Sequence, residues 1–322
     1  MSLQPLSSST PSSPPRIVVL GSLNMDIVLR VPHAPAAGET LLGRSIDAIP
    51  GGKGANQAVS CAREGAQVQM IGCVGDDAHG AALRDALARD GIDTAALRTV
   101  AGEPTGTALI LVEDSGQNRI VMIPGANARV AIDEASLTQQ VQGAAFLVAQ
   151  FETPMDQVTR AINAAHDAGC AVMLNPSPVQ AIAEALWPRI DTLVVNEIEA
   201  QTLSGQNADS PEEAAQAGQA LRARGIARVV VTLGSRGAVA VDTDGARHHP
   251  APKVQAVDTT AAGDTFLGAL AVALGEGQSF DEAVRLGIRA AALCIQQPGA
   301  QPSIPLRDAV LRSPLPPDWI TL

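Results

Sequence analysis

Aromatic residues are nearly missing from this chain: they make up 2% of its 322 residues, and tyrosine is absent. A core without rings has to be built from Ala, Val, Leu and Ile. Basic charge is also short, with 22 Lys and Arg against 33 Asp and Glu and a formal net charge of −11. Clustered Lys and Arg draw polyanions, and no basic run occurs, which argues against a nucleic-acid or anionic-membrane surface. A single nucleotide stays possible, because backbone donors and a few cations can hold one. No apolar run has the length of a membrane span. The opening residues, with SSSTPSSPP, have neither the basic start nor the apolar stretch of a secretory signal. Residues 1–15 therefore read as a disordered Ser/Pro-rich tail of a cytoplasmic protein, and the folded domain as residues 16–322. The four cysteines, Cys61, Cys73, Cys170 and Cys294, form no C-x-x-C and sit among apolar neighbours, the pattern of buried reduced thiols. His248 and His249 are adjacent. Neighbours in an extended chain point to opposite faces, so solvent is expected for them rather than a shared metal.

What is present is alternation. IVVL at 17–20 predicts a buried first strand ending at Gly21, and helices are predicted near 55–64, 79–90, 155–168, 181–187, 197–204 and 211–224. Strands VQMIGCV, FLVAQ, AVMLN, TLVVN and VVVTL lie between them. This is an α/β pattern, with a mostly parallel sheet covered by helices on both faces. Two stretches, about 24–50 and 103–125, lack helical periodicity. The first carries a second extended segment around Thr40 to Ile49, and the second a hairpin turning at Asp114, Ser115 and Gly116. Paired with each other, they predict a small second sheet placed as a lid over the carboxyl ends of the parallel strands, where ligands collect.

The strongest local signal runs from Asp258 to Ala269, DTTAAGDTFLGA. Small residues ahead of an Ala- and Leu-rich helical run predict that the amides of Ala261, Ala262 and Gly263 converge at a helix N-terminus as an anion hole. Asp264 in that first turn is ordinarily a helix-start acid. Beside an anion hole, it is also the base needed to deprotonate an alcohol while a phosphoryl group is transferred. A second glycine cluster, GGKGAN at 51–56, lacks the spacing of a phosphate loop, since Asp47 and Gly54 stand where Gly and Ser or Thr belong. Gly51 and Gly52 there form a simple turn or bring Lys53 and Asn56 close to a small polar ligand. Asn24 and Asp26, two apart on one strand face, are turn residues or partners for vicinal hydroxyls. Glu152 is a helix-start acid or a sugar ligand. Asn196 and Glu199 form a helix cap or a seat for hydrated Mg²⁺. Thr232, Gly234, Ser235, Arg236 and Gly237 form a hairpin turn or a loop passing beneath a flat or charged ligand.

Together these segments, GSLNMD, GGKGANQA, NEIEA, TLGSRG, DTTAAGDTF and GAQPSIP, resemble the ribokinase family of PfkB-type carbohydrate kinases from about Arg16 to Pro305. The resemblance implies a Rossmann-like three-layer α/β/α core with a β lid, and dimerisation through the lid strands. It implies ATP-dependent phosphorylation of D-ribose at its 5-hydroxyl; kinases of deoxyribose, fructose, adenosine or pseudouridine, or a non-catalytic sugar-binding regulator, are the alternatives. By the same resemblance Asp264 is the base, with Ala261, Ala262 and Gly263 as its anion hole. Asn24, Asp26, Gly52, Lys53, Asn56 and Glu152 match the sugar site. Asn196 and Glu199 match an element tied to Mg²⁺ and phosphate, and Thr232 to Gly237 the nucleotide loop. Asp258, Thr260, Cys294, Gln297, Gly299 and Ser303 match a K⁺ site made mainly of backbone oxygens. The signature departs from the family's at Thr260, where an aliphatic residue is common, and at Leu267, where Asn is frequent.

Overall fold

A computed structural model describes residues 13–322, so most of the expected tail lies outside the described residues. Of that tail, Pro15 is tied to the body, its carbonyl accepting a hydrogen bond from the Gln67 amide at 2.9 Å.

The chain begins with β1 (Arg16–Leu20), β2 (Asn24–Val31), β3 (Ser45–Gly51) and α1 (Lys53–Arg63). It continues through β4 (Gln67–Gly75), α2 (Ala78–Arg89), β5 (Leu97–Val100), β6 (Gly106–Glu113), β7 (Asn118–Ile123) and α3 (Glu134–Val141). The regular middle comprises β8 (Phe146–Gln150), α4 (Met155–Asp167), β9 (Ala171–Asn175), β10 (Thr192–Asn196), α5 (Glu197–Ser204), α6 (Pro211–Arg222) and β11 (Arg228–Thr232). The last third holds β12 (Ala238–Asp242), β13 (Gly245–His249), α7 (Ala262–Gly275), α8 (Phe280–Cys294), α9 (Arg307–Arg312) and β14 (Ile320–Thr321).

Ten strands form one sheet in the order β14-β13-β12-β11-β10-β9-β8-β1-β4-β5. From β11 to β5 every pair is parallel, and β12, β13 and β14 extend that sheet antiparallel. Alternation along β1 sends Val18 and Leu20 into one core, with α3, α4 and α6, and Ile17 and Val19 into the other, with α1, α2, α7 and α8. This is the expected three-layer arrangement. The chain winds outward from β1 in one direction to β4 and β5, and in the other to β8 and beyond, so the crevice between β1 and β8 is the switch point where open α/β sheets bind ligands.

The four remaining strands form the lid, in the order β3-β2-β6-β7, with β2 pairing β6 in parallel from Asn24↔Gly106 to Val31↔Glu113. Three expectations need correction. The second extended segment is Ser45–Gly51, not Thr40 to Ile49, because pairing with β2 starts only at Arg30↔Ser45, and 40–43 lies unpaired beside Gly43. The helix expected at 181–187 is a 3-10 turn over Glu184–Arg189, where Pro188 removes an amide donor. His249 is buried, at 1% exposure, and bonds to Asp281 at 2.9 Å; β13 turns it inward while His248 is half-buried.

Candidate active site

Helices α1 and α7 approach closely at Gly268. A side chain there would put a Cβ 2.3 Å from the Ser60 Oγ and 2.9 Å from the Cys61 amide, so only glycine lets the helices touch. Ser60 Oγ then donates to the Thr265 carbonyl at 2.9 Å. That contact brings the first turn of α1 against the first turn of α7. Asn56 Nδ2 donates to Asp264 Oδ2 at 3.0 Å, and Gln57 Nε2 donates to Asp264 Oδ1 at 2.9 Å. Asp264 is itself buried at 7% exposure. Asn56 was expected near a ligand; its bond to Asp264, and the presence of Gln57, are additions. Asn56 Oδ1 is buried with no partner among the described residues, which leaves an acceptor free.

Ahead of Asp264, Ala261 holds a left-handed backbone (φ 59°), uncommon for a residue with a Cβ and a local cost of roughly 1–3 kcal/mol. The Ala262 amide turns back to the Thr259 carbonyl at 3.3 Å, so it contributes less to an anion hole than expected. The amides of Ala261, Gly263 and Asp264 find no backbone acceptor among the described residues. Gly263 is exposed, and a Cβ on it would meet nothing within 4 Å. The helix N-terminus opens onto free space.

The sugar-site candidates gather at the switch point. Asn24 and Asp26 share one face of β2, buried at 3% and 9% exposure. Asn127, which the sequence reading missed, fixes Asn24: its Nδ2 donates to Asn24 Oδ1 at 2.8 Å and to the Leu23 carbonyl, and its Oδ1 accepts from the Leu23 amide. A Cβ at Gly51 would fall 2.3 Å from an Asp26 carboxylate oxygen, so that turn makes room for Asp26. Gly52, with φ 90°, is the N-cap of α1. Glu152, two residues beyond β8, accepts from Ser22 Oγ at 2.5 Å and from the Lys53 amide at 3.4 Å.

Asp26 and Glu152 share one buried crevice, and burial works against the charge of both. Burial, with Glu152 and Asp264 nearby, pushes Asp26 up to about 7. Glu152 is also raised, chiefly by burial and also by Asp264, against the lowering pull of the Ser22 hydroxyl and the Lys53 ammonium. Burial opposes the charge on Lys53, but Asp264, Glu152 and Glu199 outweigh it and hold the ammonium protonated above its ordinary value.

At the carboxyl ends of β10 and β11 the geometry is different. Asn196 and Glu199 form a reciprocal capping box, with Asn196 Oδ1 accepting from the Glu199 amide at 2.9 Å and Glu199 Oε2 accepting from the Asn196 amide at 3.0 Å. The ordinary capping explanation is thus met, with Glu199 Oε1 left over. Thr232 to Gly237 is also a real hairpin turn, joining β11 to antiparallel β12 with Gly234 and Gly237 at positive φ and Ser235 exposed at its tip. Arg236 is tied down, reaching Glu197 at 3.0 Å and the Asp209 carbonyl.

All six residues matched to a cation site are joined by short contacts, Gln297 through its backbone alone. Asp258 Oδ1 accepts from the Thr260 amide and hydroxyl, at 2.9 and 2.6 Å, and its Oδ2 from the Gly299 amide at 2.9 Å. Burial would raise this carboxyl, but these hydrogen bonds outweigh it and hold it low. Cys294 Sγ lies 3.1 Å from Ser303 Oγ and 3.6 Å from the Thr260 carbonyl. The side chain of Gln297 is exposed, and its amide donates to the Cys294 carbonyl. All four cysteines are free and buried, and no group of three or more His, Cys, Asp or Glu suited to a metal occurs among the described residues.

Residues 14–307 match the family described as "pfkB family carbohydrate kinase". A ribokinase of Haemophilus influenzae is 42% identical over 297 residues, 92% of this chain and 97% of the relative. Among solved structures, Arabidopsis thaliana ribokinase complexed with ribose and ATP superposes with a TM-score of 0.87 at 35% identity, covering 93% of this chain and 98% of that one. Phosphofructokinase-2 of Escherichia coli in complex with potassium superposes with a TM-score of 0.75 at 25% identity, covering 92% and 97%. With the switch-point crevice and the lid in place, the chain belongs to the pfkB family of carbohydrate kinases.

Proposed function

We propose that the enzyme transfers the γ-phosphoryl group of ATP to the 5-hydroxyl of D-ribose, giving ribose 5-phosphate and ADP. The observation that carries this reading is the convergence of Asn24, Asp26, Lys53, Asn56 and Glu152 on the crevice where Asp264 stands at an open helix N-terminus. Asp264 takes the proton as the 5-oxygen attacks the γ-phosphorus and the bond to the ADP oxygen breaks in line. Charge growing on the phosphoryl oxygens is met by the free amides of Ala261, Gly263 and Asp264, with that of Ala262 beside them. Asn24 and Asp26 hold the 2,3-diol, and the free Oδ1 of Asn56 accepts a sugar hydroxyl. The nucleotide lies over Thr232, Gly234, Ser235, Arg236 and Gly237, next to Asn196.

Two ions fit the residues present. Glu199, buried with one oxygen spent on the cap, offers a single carboxylate oxygen, which suits an Mg²⁺ that keeps most of its waters. The segments holding Asp258 and Thr260, and Cys294 to Ser303, meet with no Lys or Arg in either, the nearest cation acting on Asp258 being Arg30, and their backbone oxygens would hold a K⁺. Bound there, the ion supplies the positive charge that holds the strained Ala261 turn in shape. Ile46, Ile120, Val121, Met122 and Ile123 on the lid are 46 to 67% exposed, and support pairing with a second copy through the lid. No helix of the described residues is long and apolar enough to cross a membrane, and buried free thiols suit the reducing cytoplasm.

A coupled ADP-release assay with ribose, 2-deoxyribose, fructose, adenosine and pseudouridine, in K⁺ or Na⁺, tests this function. Ribose should be turned over best. A site built to bond a hydroxyl rejects the analogue lacking it by several orders of magnitude, so 2-deoxyribose should be far poorer. Equal kcat/KM for the two pentoses overturns the substrate assignment, and equal rates in the two salts overturn the K⁺ assignment.

A further inference from the structure

Gln57 has 0% exposure, and Gln150, at the carboxyl end of β8, also has 0%. Buried amides need partners; Gln150 Oε1 has none among the described residues, and the other amide atoms of the pair are joined in one chain ending on Asp264. Gln57 Nε2 donates to Asp264 Oδ1 at 2.9 Å and to Asn175 Oδ1 at 3.3 Å, while Gln57 Oε1 accepts from Gln150 Nε2 at 2.5 Å. Asn175 Nδ2 donates to the Val194 carbonyl at 3.0 Å.

The orientation of every amide in this chain follows from its ends. The Val194 carbonyl can only accept, so Asn175 presents its nitrogen to β10 and its oxygen to Gln57. Gln57 must then present nitrogen to Asn175 and to the carboxylate, and oxygen to Gln150, which has to answer with a donor. Gln150 reaches that position because residue 21 is glycine: a Cβ there would fall 2.1 Å from Gln150 Oε1.

We infer that Gln150, acting through Gln57, is a positioning residue for the phosphoryl-transfer step: it locks the Gln57 amide with its N–H toward Asp264, holding the carboxylate aimed at the sugar hydroxyl. The inference rests on Asp264 being the base. A donor at 150 is the requirement, not bulk or polarity. If residue 150 could only accept, Gln57 would gain by turning over, and its carbonyl would then face the Asp264 carboxylate, two acceptors in contact.

Two variants of nearly unchanged volume test this in the full-length enzyme. Gln150→Met removes the donor and keeps the packing. It should lower kcat by tenfold or more while the ribose KM and the calorimetric ribose Kd move less than threefold. Gln150→Glu is a donor only when protonated. Its kcat relative to wild type at the same pH should therefore be lowest at pH 8 and recover severalfold toward pH 5.5, where a carboxylic O–H can answer Gln57 Oε1. A purely packing role predicts no such recovery. Gln150→Met within threefold of wild type, or a Gln150→Glu deficit that stays flat across pH, overturns the proposal. Should Gln150→Met not fold, the pH dependence of the isosteric Gln150→Glu decides alone. Wild type against Asp264→Asn tests the base, whereas the Gln150 variants leave Asp264 intact, so failure of one reading is separable from failure of the other.

Discussion

The two ends of the mouth over the central sheet are built from different materials. At the β1 and β8 end, polar side chains are buried and pinned: Asn24 by Asn127, Asp264 by Asn56 and Gln57, and Asp26 by the space that Gly51 leaves. At the β10 to β12 end the candidates are turns and caps that satisfy themselves, the Asn196–Glu199 box and the Gly234 to Gly237 hairpin, with Ser235 and Arg236 exposed. The first end presents side chains held in low dielectric, where each misplaced group is costly. The second offers mostly backbone, which substitution does not remove. Substitutions at the first end should therefore strike rate and sugar affinity, and those at the second should be mild.

Asp264→Asn is the strongest test. Asn keeps the size but cannot take a proton, and Asn56 and Gln57 would then face an amide instead of a carboxylate. A positioned general base is worth about 10²–10⁴ in rate, so kcat should fall by at least that lower bound while calorimetric ribose binding persists. An acid serving only the helix start would cost a few tenths of a kcal/mol to about 1 kcal/mol in stability and leave kcat alone. A variant within about threefold of wild type would erase the distinction between the two ends.

Asp26→Asn separates affinity from stability. The folded chain keeps a proton on Asp26 up to about 7, whereas the unfolded carboxyl releases it near its ordinary value of 3.8. Between those values the folded state binds the extra proton, so stability falls as pH rises through the window, and the loss is complete above it. Removing the carboxyl should raise the stability of the sugar-free protein at pH 8 by on the order of 2 kcal/mol and leave it nearly unchanged at pH 4. Glu64, 1% exposed and also pushed up to about 7 by burial, adds a slope of the same sign, so the difference between variant and wild type isolates Asp26. Ribose affinity should drop tenfold or more. Thermal melts at both pH values, with ribose titration at pH 8, check the pair of effects. Equal melting points at pH 8 would mean that Asp26 carries no buried charge cost.

The contrast between the ends also explains what could be read before folding. Asn24 and Asp26 were legible because a strand has period two, and Asp264 because small residues before a helix start have few other uses. The lid followed from missing helical periodicity. Gln57 was missed, although α1 carries no charge from Gly54 to Ala62, a sign that it is buried all round and that any polar residue in it needs a partner. Asn127 lies in a 3-10 turn, Gly125–Arg129, where no periodicity marks a face. Its contact to Asn24 spans 103 residues. Helix α8 was missed, although Ser279 and Glu282 form a capping box at its start. The inward turn of His249 depends on Asp281 at that same helix start, a pairing that no local rule reveals.

The mildest expected effect is at Asn196. Its side chain caps α5, and Asn→Ala at an N-cap costs about 0.5–2 kcal/mol. Glu199 would keep its bond to the Asn196 amide, since that donor is backbone, so the carboxylate should stay near its place. Asn196→Ala should therefore lower the melting temperature by a few degrees, in keeping with a ΔΔG of about 1 kcal/mol in a chain of this size. It should raise the KM for ATP severalfold and leave kcat at saturating ATP and Mg²⁺ within about threefold. Glu199→Gln is the control. It keeps the capping geometry through its side-chain carbonyl and removes the charge, so its loss should shrink as Mg²⁺ is raised if the carboxylate holds the ion. A loss in Asn196→Ala as deep as that of Asp264→Asn would show that the β10 end also acts through a side chain, and the division between the two ends would fail.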